Sequence, residues 1–348
     1  MARIWQTGFE HFDIASLSPG SFWGDCVISN DYGYLTGSVA NAGLYLYTDN
    51  NVYAKAYITL DLGAAGVASD VYIRFLTKRS GDISHGSYVK FLDDAGGELI
   101  KWYYNGAIHI LGVSQGSLGW SESWERIEVH IKIHDTDGLV EIRKNGALAF
   151  TYGPADTKST GTYFKQIYWY LYPYSQHLRA IYLDDVAIND TVDDGRGNNA
   201  WCGSGKILGF RPISPPGLEQ WTPVPAAGAY PDGNWARVDD GEPDDDTTYV
   251  ASDTVGQVDA HVIEKLPAYA AGIRNGCVSW NARAKLSVAG SGQIRPYMTL
   301  DGSIVVGETK TLDETYRHYQ QMLAHNPQGD DWTKTTFNNT FFGYEAVS

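Results

Sequence analysis

Arg126-Ile-Glu-Val-His-Ile-Lys-Ile-His134 alternates without a break. Successive side chains of an extended chain point to opposite faces, so Ile127, Val129, Ile131 and Ile133 share one side. Glu128, His130, Lys132 and His134 share the other. The stretch therefore reads as a strand with one buried face and one solvated face. Its surroundings repeat the signal. Asp135-Thr-Asp-Gly138 is a turn, Leu139-Val-Glu-Ile-Arg143 returns, and Asn145-Gly146 is a tight hairpin turn leading to residues 147–152. Upstream, residues 44–48, 53–60, 71–76, 88–92, 99–104 and 108–111 are β-rich runs bounded by Gly, Asn and Asp. Turns stand at Asp93-Asp-Ala-Gly-Gly97 and Asn105-Gly106. Residues 166–172 and 179–188 close the series. So many short strands with tight turns predict an all-β protein.

Composition agrees. The 348 residues are 43% hydrophobic and only 19% charged, with 24 Tyr, 38 Gly and 11 Trp. Length and apolar content suffice for two domains with real cores. Broad, stiff, amphipathic rings favour contact with proteins or sugars, and they also favour strands, so both readings stay open. A formal charge of −15 with no basic stripe excludes a nucleic-acid partner. No apolar run of 18 residues predicts a membrane span. Residues 1–10 lack an apolar signal core, which implies synthesis in a cytoplasm without export by that route. Cys26, Cys202 and Cys277 are odd in number and far apart, so buried thiols are expected and not a metal cluster or disulfide framework.

Residues 191–200 lose apolar periodicity and read as a linker between a first module, 1–190, and a second, 201–348. In the second, residues 206–210 read as a strand and 212–225 as a Pro-rich loop. Residues 235–251 form an acidic loop entering a short strand. Further strands are expected at 258–264, 276–286, 293–300 and 303–306, with a turn at Asp301-Gly302. Residues 312–324 carry both helical spacing and β-rich neighbours, and we assign them as strand.

Gly8-Phe-Glu10, the 124–133 strand, the Val140-Glu-Ile-Arg-Lys-Asn-Gly146 hairpin and Tyr182-Leu-Asp-Asp-Val-Ala-Ile-Asn-Asp190 resemble the laminin-G/concanavalin A-like jelly-roll sandwiches. Beyond residue 190, Asn198-Asn199, Trp201, Asp244-Asp-Asp-Thr-Thr-Tyr-Val250, Asn326-Pro327, Trp332-Thr333 and Phe342-Gly-Tyr-Glu345 resemble structural proteins of tailed-bacteriophage virions. The resemblance implies a concanavalin A-like jelly roll followed by a smaller β-sandwich or jelly-roll module. It also implies a non-enzymatic virion protein, tail-attached or decorating the capsid, assembled in the host cytoplasm. Such a protein works through large interfaces with other virion proteins and as a homo-oligomer, a trimer being one form. The alternative is a tail-fibre or spike adhesin that binds a host-surface glycan. A glycan-cleaving enzyme ranks third.

Enzymes of this sandwich type that hydrolyse glycans carry Glu-x-Asp-x-x-Glu on one strand, and the nearest segment here, Glu125-Arg-Ile-Glu128, lacks the central Asp. Cys202-Gly-Ser-Gly-Lys206 has Ala200 and Ile207 where a phosphate loop needs Gly and Ser or Thr. His130 and His134 lie two pleats apart on a strand, too far to share a zinc. No cofactor is expected. A structural Ca²⁺ is the one alternative, with Asp184, Asp185, Asp244 and Asp246 as candidate ligands, although Asp is also an ordinary turn residue. The ligand or interface candidates are Tyr168, Trp169, Tyr170 and Tyr172. On a strand, Tyr168, Tyr170 and Tyr172 share one face and Trp169 the other. If the Trp face is core, the Tyr face is a sugar platform or a subunit interface; if both faces are buried, it is packing.

Overall fold

Long alternating runs such as residues 127–133 must bury one side, and two sheets facing each other accomplish that. The computed structural model describes residues 3–7, 22–23, 26–30, 34–35, 44–48, 56–62, 67–80, 86–172, 179–192, 200–205, 207–214, 218–225, 233–239, 245–268, 277–287 and 290–348. They fall into two units, Met1–Leu208 and Gly209–Ser348.

The described strands of the first unit are β1 (Arg3–Thr7), β2 (Phe22–Trp23), β3 (Cys26–Asn30), β4 (Tyr34–Leu35), β5 (Leu44–Thr48), β6 (Ala56–Asp61), β7 (Asp70–Ser80), β8 (Tyr88–Asp93), β9 (Glu98–Tyr103), β10 (Ala107–Ile110), β11 (Val113–Ser117), β12 (Glu125–Lys132), β13 (Gly138–Lys144), β14 (Ala147–Ala155), β15 (Phe164–Leu171) and β16 (Arg179–Asp190). One antiparallel sheet runs β14-β13-β12-β7-β16-β5-β4, with β1 also on β16, and the other runs β11-β10-β9-β8-β15-β6-β3-β2. This is the jelly-roll β-sandwich that the sequence predicts. Between the sheets lie Ile73, Phe75, Ile127, Val129 and Ile131 from one side and Val89, Phe91, Trp102, Ile167 and Trp169 from the other. Phe75 meets Trp169 edge-on at 5.7 Å across the layer. Each such buried side chain contributes about 1.5–3 kcal/mol by leaving water. Asn145 and Gly146 both take positive φ, 53° and 89°, which fits the two-residue hairpin turn between β13 and β14.

The polar side of β12 departs from expectation. Glu128 is 2% exposed and His130 7%, so this face is not solvated. The chain after β16 covers it. Trp201 lies against the Arg143 guanidinium, 3.9 Å from ring centre to Cζ, and meets Tyr72 and His130 edge-on. The Gly203 amide donates to Glu128 Oε1 at 3.0 Å, and the Ile207 amide to Asp185 Oδ1 at 2.8 Å. Arg74 donates to the carbonyls of Asp185, Gly203 and Gly205. His130 bridges Asp70 and Glu141 at 2.7 and 3.3 Å and stacks on Tyr72. Residues 200–208 therefore belong to the first unit, which ends at Leu208, beyond the 191–200 stretch read as linker from sequence. Because this segment is committed to capping side chains, residues 207–210 form no strand.

The second unit contains β17 (Pro212–Ser214), β18 (Thr222–Val224), β19 (Tyr249–Ala251), β20 (Val258–Ile263), β21 (Val278–Ala284), β22 (Gln293–Leu300), β23 (Ser303–Val306), β24 (Lys310–Thr311), β25 (Arg317–Leu323), β26 (Phe341–Ala346), a 3₁₀ turn at Asn234–Arg237 and the helix α1 (Lys334–Asn339). Its main sheet runs β17-β20-β26-β22-β23 with β24 on β22, and β18-β19 and β21-β25 pair separately. The 212–225 stretch, read as loop, supplies two short strands, each at a sheet edge, where proline is tolerated. Residues 317–323 are the strand assigned from sequence. Trp280 and Trp332 are buried with their indole N–H groups on the carbonyls of Gly343 and Leu323, each at 2.8 Å. The two described cysteine thiols, Cys202 and Cys277, are only partly buried.

Candidate functional site

Strand alternation with Trp169 inward turns the tyrosines of β15 outward. Trp169 is 1% exposed and belongs to the core, so it leaves the set of ligand candidates. Tyr168 and Tyr170 are half-buried and Tyr172 is 40% exposed. The register across the sheet extends this face. Tyr168 pairs with Lys90, Lys90 with Lys101, and Lys101 with His109. One step along, Tyr170 pairs with Tyr88, and Tyr88 with Tyr103. Sequence alone shows only the β15 part, because Tyr88 and Tyr103 join it through the long-range β8–β15 pairing, which no local pattern reveals.

The rings form one continuous strip. Tyr88 and Tyr170 stack at 4.8 Å, Tyr168 and Tyr170 lie 6.2 Å apart nearly parallel, and Tyr170 reaches Tyr172 at 6.3 Å. Tyr103 meets Tyr88 and His109 edge-on at 5.9 and 5.1 Å. The Tyr172 ring rests on Gly86, where a Cβ would collide with it; its own amide donates to Ser87 Oγ. Burial, with Tyr170 close by, pushes the Tyr88 phenol up to about 12, and burial also raises Tyr170. Both stay protonated near neutrality and keep an O–H to donate. Among the described residues no hydrogen bond engages the hydroxyls of Tyr88, Tyr103, Tyr170 or Tyr172.

Two ammonium groups sit in the strip. Lys90 Nζ lies 5.1 Å from the Tyr88 ring centre and 5.6 Å from that of Tyr168. Lys101 Nζ lies 4.4 Å from Tyr88 and 4.9 Å from Tyr103. Burial holds the Lys90 pKa below the usual lysine value; Glu98, 3.8 Å away, opposes that and Lys101 reinforces it.

A concavity of about 370 Å³ lies on the other sheet, walled by Trp124, Leu76, Arg74, Arg126, Asp184 and Ser204. Its polar groups are engaged within the fold: Arg74 on three carbonyls and Arg126 on Glu128 at 3.2 Å.

Each described acidic candidate for Ca²⁺ is engaged within its own unit. Asp184 accepts from the Asp185 amide at 2.7 Å, and Asp185 is buried and accepts from Ile207. Asp246 pairs with Lys285 at 2.6 Å and accepts from the Tyr316 hydroxyl at 3.2 Å. Asp244 lies outside the described residues. Among the described residues no three acidic, His or Cys side chains are grouped as a metal site.

Sequence reasoning also missed a buried polar cluster in the second unit. Asp259, 0% exposed, accepts from Asn234 Nδ2 at 3.0 and 3.1 Å. His261 Nε2 stands 3.7 Å from Asp259 and 3.4 Å from the Tyr344 hydroxyl. Burial raises Asp259 to about 7, lowers His261 to about 4 and holds the Tyr344 phenol far above its ordinary value. The alternation of Val258-Asp-Ala-His-Val-Ile263 was the available signal: two ionisable residues share one face of a central strand.

No protein-family model and no curated protein matches the chain. Solved structures do. An endo-β-1,4-glucuronan lyase from the fungus Trichoderma reesei is 15% identical, over 54% of this chain and 95% of its own, with a TM-score of 0.36. The carbohydrate recognition domain of Emp47p is 9% identical, over 54% and 97%, with a TM-score of 0.37. A sialidase is 11% identical over 47% of this chain, which spans 17% of the sialidase, with a TM-score of 0.35. Likeness at this level concerns the sandwich alone. The expectation of a non-enzyme finds no support here: a glucuronan lyase and alginate lyase Aly36B are among the structures matched. The missing carboxylate pair argues only against two-carboxylate hydrolysis. What the chain shares with these structures is an antiparallel β-sandwich of the jelly-roll type.

Proposed function

We propose that the first unit recognises a glycan on the tyrosine-lined outer face of its β8-β9-β15 sheet, in the manner of a host-surface adhesin. The observation that carries this reading is the strip of outward tyrosines, of which Tyr88, Tyr103, Tyr170 and Tyr172 have no hydroxyl hydrogen bond among the described residues. Rings fixed by the sheet offer flat apolar surface to a pyranose, and protonated phenols offer hydrogen bonds to its hydroxyls, at little cost in side-chain entropy. The test is a glycan array probed with the full chain beside its Tyr170→Ala variant. Binding that Tyr170→Ala weakens supports the proposal. A folded protein that binds no glycan at high concentration refutes it.

A second reading, assembly into a tailed-phage particle, has its own support. β23 is an end strand of the second unit's main sheet, and Ile304, Val305 and Val306 are 59%, 37% and 38% exposed. Three consecutive β-branched side chains on an open edge, without proline or charge, make a template for pairing with another chain. Val305→Lys should then lower the mass measured by light scattering; an unchanged mass counts against this edge as the contact.

A further inference from the structure

Charge on the tyrosine strip narrows the ligand class, an argument that rests on the glycan reading above. The chain carries −15 overall, so two lysines side by side on one face are a local exception. In the register of β8 and β9, Lys90 stands directly opposite Lys101. Like charges directly opposite on one face of a sheet repel. Both ammonium groups lie within about 5 Å of the same ring centre, that of Tyr88, so they converge on one spot. Against the two stands Glu98, which reaches Lys90. Among the described residues Lys101 has no carboxylate within ion-pair distance. The third group of the row, His109, adds no negative charge. The ring contacts hold each ammonium in place, yet the two still repel one another and Lys90 loses water there.

We propose that the glycan held on this face is a polyuronate, with one of its carboxylates seated between Lys90 and Lys101. An anion there turns the repulsion between the two ammoniums into attraction for both. The flanking tyrosines supply the stacking surface for the sugar rings on either side. A carboxylate fits better than isolated inorganic anions because the cations are embedded in a strip of aromatic rings, which an ion without a ring cannot use.

The test uses the full chain and four defined polymers: alginate and polyglucuronate as polyuronates, amylose as a neutral glycan and dextran sulfate as a sulfated one. Affinity is measured by calorimetry at low and high salt for the wild type, Lys101→Gln and Lys90→Gln/Lys101→Gln, with circular dichroism confirming each fold. The expected result is polyuronate binding that weakens with salt, exceeds amylose binding by about ten-fold or more, and drops by about ten-fold in the double variant. Lys101→Gln alone should give a partial loss, which keeps the test open if the double variant does not fold. Equal binding of amylose and polyuronate would leave glycan recognition standing and overturn the polyuronate assignment. Binding of dextran sulfate alone would overturn the carboxylate. Absence of binding to every polymer would overturn the polyuronate assignment, and the glycan array then decides whether glycan recognition stands.

Discussion

In the second unit, Asp259 and His261 are perturbed in opposite directions, and the two effects should hide each other. Asp259 moves from 3.8 to about 7 on folding, worth about 4 kcal/mol. Between those values the folded unit holds a proton that the unfolded chain releases, so this contribution falls as pH rises from 4 to 7. His261 moves from 6.5 to about 4, worth about 3 kcal/mol. There the unfolded chain binds a proton that the folded unit refuses, so this contribution falls as pH drops from 6.5 to 4. From pH 4 to 6.5 the two slopes nearly cancel. Single variants unmask them. Asp259→Asn should gain about 4 kcal/mol relative to the wild type as pH is raised from 4 to 7. His261→Gln should gain about 3 kcal/mol relative to the wild type as pH is lowered from 6.5 to 4. Urea denaturation of the full chain at pH steps, followed by the fluorescence transition of the second unit, measures both differences. If the 3.7 Å approach of His261 to Asp259 is instead a charged pair, the Asp value is depressed and the His value raised. Both differences then reverse sign, which would refute the reasoning.

Three further outcomes follow from the packing. Asp93, fully buried, accepts from the amides of Ala95, Gly97, Thr160 and Gly161, so Asp93→Ala should cost the first unit about 3–5 kcal/mol in chemical denaturation, with Asp93→Asn recovering part of it. Trp201→Ala removes the Arg143 stack and the contacts to Tyr72 and His130, an expected loss of about 2–3 kcal/mol with faster hydrogen exchange at the Gly203 amide. At Gly343 a Cβ would collide with the Asp259 carbonyl, so Gly343→Ala should cost the second unit more than about 3 kcal/mol in its thermal transition.

Much of the sandwich was legible because its elements announce themselves locally. The alternation of 127–133 and the Asn145-Gly146 turn each follow from strand period and turn chemistry, while the period sets Trp169 apart from the tyrosines without saying which face is core. The tyrosine face was half legible: β15 carries its own pattern, but which strands flank it depends on long-range pairing. Glu128 and His130 were misread for the same reason. Nothing in β12 reveals that Trp201 and Gly203, more than seventy residues later, lie over them. In the second unit, Phe341-Phe-Gly-Tyr-Glu-Ala346 is the central strand, yet its small Gly343 and mixed pattern hide it; the close approach of Asp259 requires that glycine. The helix α1 begins at a reciprocal Thr333–Thr336 cap, weaker as a sequence signal than the usual Ser or Thr with Glu.

The fold-back of residues 200–208 also decides where this chain can be divided. A fragment ending at Asp190 would keep every strand of the sandwich but strip the outer side of one sheet. The Glu128 carboxylate would lose its amide, Arg74 two of its carbonyls and Arg143 its aromatic partner. Such a fragment would present a charged, sticky surface that the intact protein never shows. Anyone moving this module onto another scaffold should therefore carry Leu208 with it, and treat residues 200–205 and 207–208 as its rind, not as tether.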